Sequence, residues 1–287
     1  MKYNITAATG HLGEKITEEL LKLVSKEEAA ITVRNHEKAK QLFGDSVNIK
    51  KADYHSEEEM TEAFMGTDVL IYIPSFSFPS HVRINEFEKA VNAAEKANVK
   101  QFLFVGFVAD HENSPFQMSP FFGYVPRRLA SSQLSYTMVR NGMYADPLPS
   151  YLPELMEHGQ LPYPAGDGKI NFVSRRDIAR AVVQIATRPE LYEKKYTLTG
   201  QRAYSMEELA SIFSEISGET IRYSPMSFQE FAVTYDEPEG FGPVLTSLYT
   251  AASRHLMDET TDDIETVTGD PSEDLTAFIK QNFHQEN

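Results

Sequence analysis

The sequence predicts an α/β protein: a doubly wound parallel sheet with a smaller, mainly helical C-terminal lobe. Three observations carry this. Short apolar runs alternate with amphipathic stretches through the first half of the chain. A glycine-bearing turn joins the first run to the first amphipathic stretch. After residue 140 the alternation gives way to proline-rich and then mainly helical sequence. Strands that alternate with helices imply parallel pairing through right-handed crossovers.

The strand candidates are residues 2–6, 29–34, 47–51, 69–73, 101–106 and 135–140. Most are short and rich in Val, Ile, Phe and Tyr, as strands covered on both faces should be. Between them, Ile16, Leu20, Leu23 and Val24 recur at helical spacing, as do Phe87, Ala90, Val91, Ala94 and Ala97. Pro126 places the start of the next helix near itself, because a proline fits best in a first turn. Residues 142–168 carry five prolines and read as an irregular excursion. Helix and strand return at 174–187 and 194–198. Capping boxes, Ser followed three residues later by an acid, occur at Ser56/Glu59, Ser174/Asp177, Ser205/Glu208 and Ser227/Glu230. Residues 284–287 read as a frayed tail.

Composition excludes several functions. With no cysteine there is no disulfide, thiolate metal site or cysteine nucleophile. The eight His are scattered without metal-ligand spacing, so no metal is expected. A GxSxG elbow is also missing. Lys and Arg number 27 against 42 Asp and Glu, a net charge of −15. Such a surface disfavours nucleic acid and anionic membranes. No apolar run nears the ~18 residues of a membrane span. The expected setting is cytoplasmic.

The strongest local signal is Thr6-Ala7-Ala8-Thr9-Gly10-His11-Leu12-Gly13, placed between a strand and a helix. That is the context a dinucleotide fingerprint requires. Gly10 lets the backbone approach a pyrophosphate, and Gly13 lets the helix pack close. The amides of His11 and Leu12 face the phosphates at the positive helix end. Ala7 stands where the first glycine of the triplet is usual, so the turn must be built differently or bind more weakly. At the end of the second strand, where an acid would hold the ribose of NAD, stands Arg34, with Lys38 one turn on. A cation there pairs with a 2′-phosphate, so NADP is expected over NAD. Asp53-Tyr54 closes the third strand beside an adenine, and Pro74-Ser75 closes the fourth. Gly106 closes the fifth. Ligands of open α/β sheets sit at these carboxyl ends.

The ordered series TAATGHLG, VRNHEKA, FVGF, SYTMVRNGMY and PAGDGKINFVSRRDIARAV resembles the NmrA-like group of atypical short-chain dehydrogenase/reductases. Within that group it is most similar to the NADPH-dependent quinone-oxidoreductase-like and triphenylmethane-reductase-like enzymes. The resemblance covers roughly residues 1–200. It implies a Rossmann-type domain over 1–145 and 170–203, and a substrate lobe over 146–169 and 204–287. It also allows two functions. Some members reduce quinones or aryl dyes by direct hydride transfer; others bind the dinucleotide as a redox signal without turnover.

By the spacing of short-chain dehydrogenases, Met118 stands at the catalytic Tyr position and Phe122 at the Lys position. Neither can donate a proton, which argues against a nucleotide-sugar epimerase. Tyr124 with Arg128 at i+4 is a weak substitute, so the catalytic residue stays unassigned. A quinone reductase needs no such acid, since the cofactor carries the chemistry. Phe76, Phe78, Phe107, Phe122, Tyr124, Met143 and Tyr144 fall in loops that would border the nicotinamide. An aromatic cleft of this kind suits a flat quinone-like or aryl substrate. NADPH-dependent reduction of such an acceptor is the expected activity, with a non-catalytic NADP(H) sensor as the alternative. A homodimer or a regulatory protein partner stays open. Ser174, Arg175, Arg176 and Asp177 are expected to be structural.

Overall fold

The computed structural model describes residues 1–283, so the tail expected to fray lies outside the described residues. The chain runs β1 (Tyr3–Thr6), α1 (His11–Leu20), β2 (Ala29–Val33), α2 (His36–Phe43), β3 (Asn48–Lys51), α3 (Glu57–Phe64), β4 (Val69–Tyr72) and α4 (Ser80–Lys96). It continues through β5 (Gln101–Phe107), α5 (Ser119–Ala130), β6 (Ser135–Asn141), β7 (Met143–Tyr144), α6 (Leu148–His158), β8 (Gln160–Leu161), β9 (Lys169–Val173) and α7 (Arg175–Thr187). Then come β10 (Lys195–Leu198), β11 (Ala203–Ser205), α8 (Met206–Ser217), β12 (Arg222–Tyr223), α9 (Phe228–Thr234), α10 (Phe241–Ala252), α11 (Asp263–Thr268) and α12 (Leu275–Asn282).

The chain divides into two compact units. One comprises Met1–Phe107, Pro120–Arg140 and Arg175–Tyr196; the other comprises Val108–Ser119, Asn141–Ser174 and the residues from Thr197 onward. These limits differ from those read in the sequence at 141–145, 170–174 and 197–203, and over the whole of 108–119. That segment is tied to the second unit by hydrogen bonds that residue periodicity does not reveal. Val108 N donates to Asn141 O at 3.1 Å, and Gln117 N donates to Ser247 Oγ at 3.0 Å.

The first unit is built on a seven-stranded sheet of order β10-β6-β5-β4-β1-β2-β3. Strands β3 and β2, β2 and β1, β1 and β4, and β4 and β5 pair in parallel. Strands β1, β2 and β4 are buried along their whole length, which is why their sequences are apolar runs rather than alternations. At the sheet edge, β3 exposes Asn48 and Lys51. On one face Tyr72, Phe87, Phe102, Phe104 and Phe121 form a ring cluster with centroids 5.5–6.2 Å apart. Chain order reverses at β1, between β2 and β4, and open α/β sheets take ligands at the carboxyl ends of the strands at such a point.

Helix α5 begins at Ser119 and carries Pro126 in its interior, rather than starting there. Burial of Phe121, Phe122, Val125 and Leu129 along one face offsets the hydrogen bond that Pro126 cannot donate.

The second unit holds a three-stranded sheet, β11-β9-β7, and a two-stranded one, β12-β8. Asn171 on β9 ties this unit together. Its Oδ1 accepts from Gly200 N at 2.6 Å, and its Nδ2 donates to Thr260 Oγ1 at 2.9 Å. Tyr163, Phe231 and Tyr249 pack with centroids 5.1–6.1 Å apart. The proline-rich excursion contains the eleven-residue α6. Pro147 and Pro149 sit at its start, where no N–H is needed, and Pro153 lies inside it. Leu148, Leu152 and Leu155 supply the buried stripe that five prolines had obscured.

Candidate functional site

Strand β1 ends at Thr6 and α1 starts at His11, leaving a loop of four residues. Ala7 takes φ = 50°, the left-handed region, although it carries a Cβ. The turn is therefore built as a glycine would build it, at the steric cost that alanine adds. Gly10 N donates to Ala7 O at 3.0 Å and closes the loop. Gly10 is the N-cap of α1, and no side chain caps the helix. A Cβ on Gly13 would lie 2.3 Å from Ala7 O and 2.7 Å from Ala8 Cα. Helix and loop touch so closely that only glycine fits. Thr9 is half-exposed, Gly10 and His11 are exposed, and Leu12 is buried beneath them.

One strand over, β2 pairs with β1 in the register Thr6↔Thr32. Arg34, two residues further along, is exposed and so is Lys38. Strands in a sheet lie about 4.8 Å apart, so the Arg34 backbone flanks the loop after β1. Asn35 caps α2, its Oδ1 accepting Lys38 N at 3.0 Å. That cap fixes where Lys38 leaves the helix.

The ends of β3 and β4 are pinned to each other. Tyr54 Oη donates to Ile73 O at 2.5 Å. Thr6 Oγ1 accepts Ile73 N at 2.9 Å and donates to Ile73 O at 3.2 Å. Burial raises the Tyr54 phenol well above its ordinary pKa. Its hydroxyl thus fixes the residue before Pro74. Asp53 shapes its own turn, with Oδ1 accepting His55 N at 2.9 Å. The hydroxyl of Ser75 donates to the Glu86 carboxylate. Gly106 is buried, and a Cβ there would meet Phe104 Cε1 at 2.5 Å. The aromatic core beneath β5 demands that glycine.

Among the aromatics, Phe76 is 63% exposed. Phe78 meets it edge-on at 6.2 Å, and Arg83 Cζ lies 5.9 Å from its ring. Phe107 is half-buried against Phe122, at 6.0 Å. Phe122 itself is buried and packs on Phe121 at 5.1 Å. Tyr124 Oη donates to the Glu88 carboxylate, which also takes Arg128 Nε at 2.8 Å. The bond to Glu88 raises the Tyr124 pKa. Tyr124 lies five residues into α5, roughly 8 Å of helix rise from its start. It ties α5 to α4.

In the second unit, Met143 and Tyr144 are half-buried and form β7, paired with Phe172 and Val173. In the sequence, Asn141-Gly142 reads as a turn that ends the sixth strand, and the structure gives Asn141 a different place. It is the last residue of β6, it is fully buried, and its side-chain Oδ1 and Nδ2 both lack a partner in the protein. A buried amide without partners costs a few kcal/mol, so such a group invites a polar occupant. Its signal in the sequence is an amide side chain at the end of the run that forms β6.

Residues 2–280 match the NmrA-like family. The chain belongs to that family. Several solved structures resemble this NmrA-like chain over nearly all of its length. A nucleoside-diphosphate-sugar epimerase from Staphylococcus aureus is 44% identical, with TM-score 0.93, over 98% of this chain and 100% of its own. The NADPH-dependent quinone oxidoreductase of Escherichia coli, solved with NADPH, is 28% identical with TM-score 0.92, over 98% and 100%. Triphenylmethane reductase from Citrobacter sp. is 28% identical with TM-score 0.91, over 99% of both chains. The loop after β1 carries glycine at two of the three positions of a dinucleotide fingerprint, Gly10 and Gly13, and Ala7 takes the left-handed conformation at the other.

Proposed function

We propose that this protein is an NADPH-dependent reductase that passes hydride directly to a quinone-like or other aryl acceptor. One observation carries the reading: α1 starts uncapped behind a tight loop, with an exposed arginine one strand away. The amides of the first turn and the positive helix end suit a pyrophosphate. Arg34 suits a 2′-phosphate bidentately, and Lys38 adds charge on the same side. The cofactors bound by the Escherichia coli and Citrobacter relatives support the nucleotide. The quinone and triphenylmethane-dye substrates of those relatives support the acceptor class.

When bound, the dinucleotide would supply the hydride, and solvent water the proton that completes the reduced acceptor. The protein orients and shields. Thr6 and Tyr54 hold Ile73, and with it the turn into Pro74 and Ser75. Phe76 and Phe78 offer an aromatic surface beyond that turn, suited to a planar acceptor. The Tyr54 and Ser75 hydroxyls are held by Ile73 and Glu86, so they serve position rather than proton delivery. The epimerase name of the Staphylococcus aureus relative would ask for a proton-moving side chain. Met118 and Phe122, both buried and apolar, offer none at the positions where the related dehydrogenases carry Tyr and Lys.

The test is NADPH oxidation, followed by its absorbance, with a panel of benzoquinones, naphthoquinones and azo and triphenylmethane dyes. We expect turnover with at least one planar acceptor. No oxidation above background across the panel would end the reading.

A further inference from the structure

The loop after β4 is gathered onto one buried carboxylate. Glu86, on α4, is only 3% exposed. It accepts the Ser75 hydroxyl on Oε2 and the Ser77 hydroxyl on Oε1, the latter at 2.9 Å. Ser75 Oγ in turn accepts Ser77 N at 3.2 Å. From the loop after β3, His55 Nε2 stands 3.6 Å from Glu86 Oε1. Arg83 Nε donates to Ser77 O at 2.6 Å. Burial disfavours ionisation of the neighbouring Tyr54 and Tyr72, and the Glu86 carboxylate adds to it in smaller part.

An apolar residue would fill this interior position at less cost, because a carboxylate taken from water must be repaid by its partners. The partners here are the two residues on either side of Phe76. With Ser75 and Ser77 both drawn inward, the residue between them is turned out. Phe76 is accordingly 63% exposed, with Phe78 edge-on beside it.

We propose that Glu86 is a positioning residue for the acceptor: it draws Ser75 and Ser77 inward and so holds Phe76 outward as the face on which a planar acceptor stacks. The inference rests on the reductase reading above. Glu86 touches neither acceptor nor cofactor and acts through the loop.

The test uses the full chain and the variants Glu86→Ala, Glu86→Gln and Ser77→Ala, with menadione as the acceptor probe. Two quantities are read: hydrogen exchange of the 74–79 backbone, and the acceptor KM beside the NADPH Kd. For Glu86→Ala we expect faster exchange confined to 74–79 and an acceptor KM raised about tenfold, with NADPH Kd within about twofold, since lost preorganisation falls on the acceptor alone. Glu86→Gln keeps one oxygen acceptor and should recover much of both losses. Ser77→Ala should give a smaller change of the same kind, and it serves should Glu86→Ala fail to fold. Wild-type exchange and KM in Glu86→Ala would overturn the proposal. So would equal loss of acceptor and NADPH binding with no rescue by glutamine, which marks a general packing role. If wild type oxidises no NADPH with any acceptor, the reductase reading falls, and the exchange result alone decides whether Glu86 holds Phe76.

Discussion

Three residues, Ala7 in the loop after β1, Gly13 in α1 and Arg34 after β2, carry most of the nucleotide reading, and each makes a distinct demand. Ala7 sits at φ = 50°. A left-handed alanine costs roughly 1–2 kcal/mol, and glycine would return about half of that to unfolded-chain entropy. Ala7→Gly should therefore raise stability by about 0.5–1 kcal/mol in urea titration. Unchanged or lower stability would mean that the turn is not strained. Gly13→Ala places a Cβ 2.3 Å from Ala7 O, so the helix must move. We expect a stability loss of about 1–3 kcal/mol and loss of NADPH binding, read by denaturation and calorimetry. Arg34→Ala should weaken NADPH far more than NADH, by about tenfold or more for the phosphorylated form, as loss of a charge-assisted pair implies. Equal losses would make Arg34 structural. At this scale the sequence exposed the loop, Arg34 and the oddity of Ala7, because all are local in the chain. Glu86 was invisible there. Its partners lie 9, 11 and 31 residues away, and only the fold brings them together.

Elements were legible wherever their signals were periodic or capped. The strands of the large sheet begin and end within a residue or two of the apolar runs, because burial on both faces writes itself directly into composition. Full capping boxes form at Ser205/Glu208 and Ser227/Glu230. At Ser56 the box is half made, because the Glu59 carboxylate takes Asp53 N instead. Ser205→Ala should cost about 1 kcal/mol in thermal or urea unfolding, the usual worth of an N-cap. Proline misled the reading twice, at α5 and α6, because buried stripes outweigh a missing N–H. Exposed Pro153 lies four residues after Pro149 and leaves that carbonyl without its helical donor. Pro153→Ala should restore the donor and stabilise the protein by about 1–2 kcal/mol, since proline inside a helix costs more than it saves in the unfolded chain. A drop in the thermal midpoint would contradict this.

For the whole molecule, alternation sufficed to foresee a doubly wound parallel sheet, since the βα repeat leaves few other topologies. The second unit was less legible. Its strands β7, β8 and β12 are two residues long, too short for any periodicity, and segment 108–119 is assigned by long-range hydrogen bonds. Several acids are held below their ordinary pKa: Glu57 by the Lys96 ammonium and Asn92, Asp68 by Lys100 and the Lys2 amide, and Glu208 by the Ser205 amide and Arg202. A carboxylate lowered in the folded state adds stability above its unfolded pKa and loses it as pH falls through the folded value. Unfolding free energy should thus decline below about pH 4, modestly because these groups are partly exposed and screened. Urea titrations down the acid range would show it, and stability that rises there would refute it. The central claim is that an acidic protein of net charge −15 holds a phosphorylated dinucleotide through helix-end amides and Arg34. Calorimetric titration with NADPH, NADP, NADH and NAD tests it most directly. We expect NADPH binding at a Kd of order 1–10 μM, about −7 to −8 kcal/mol, with NADH markedly weaker. No binding of any of the four, or NADH bound as tightly as NADPH, would contradict it.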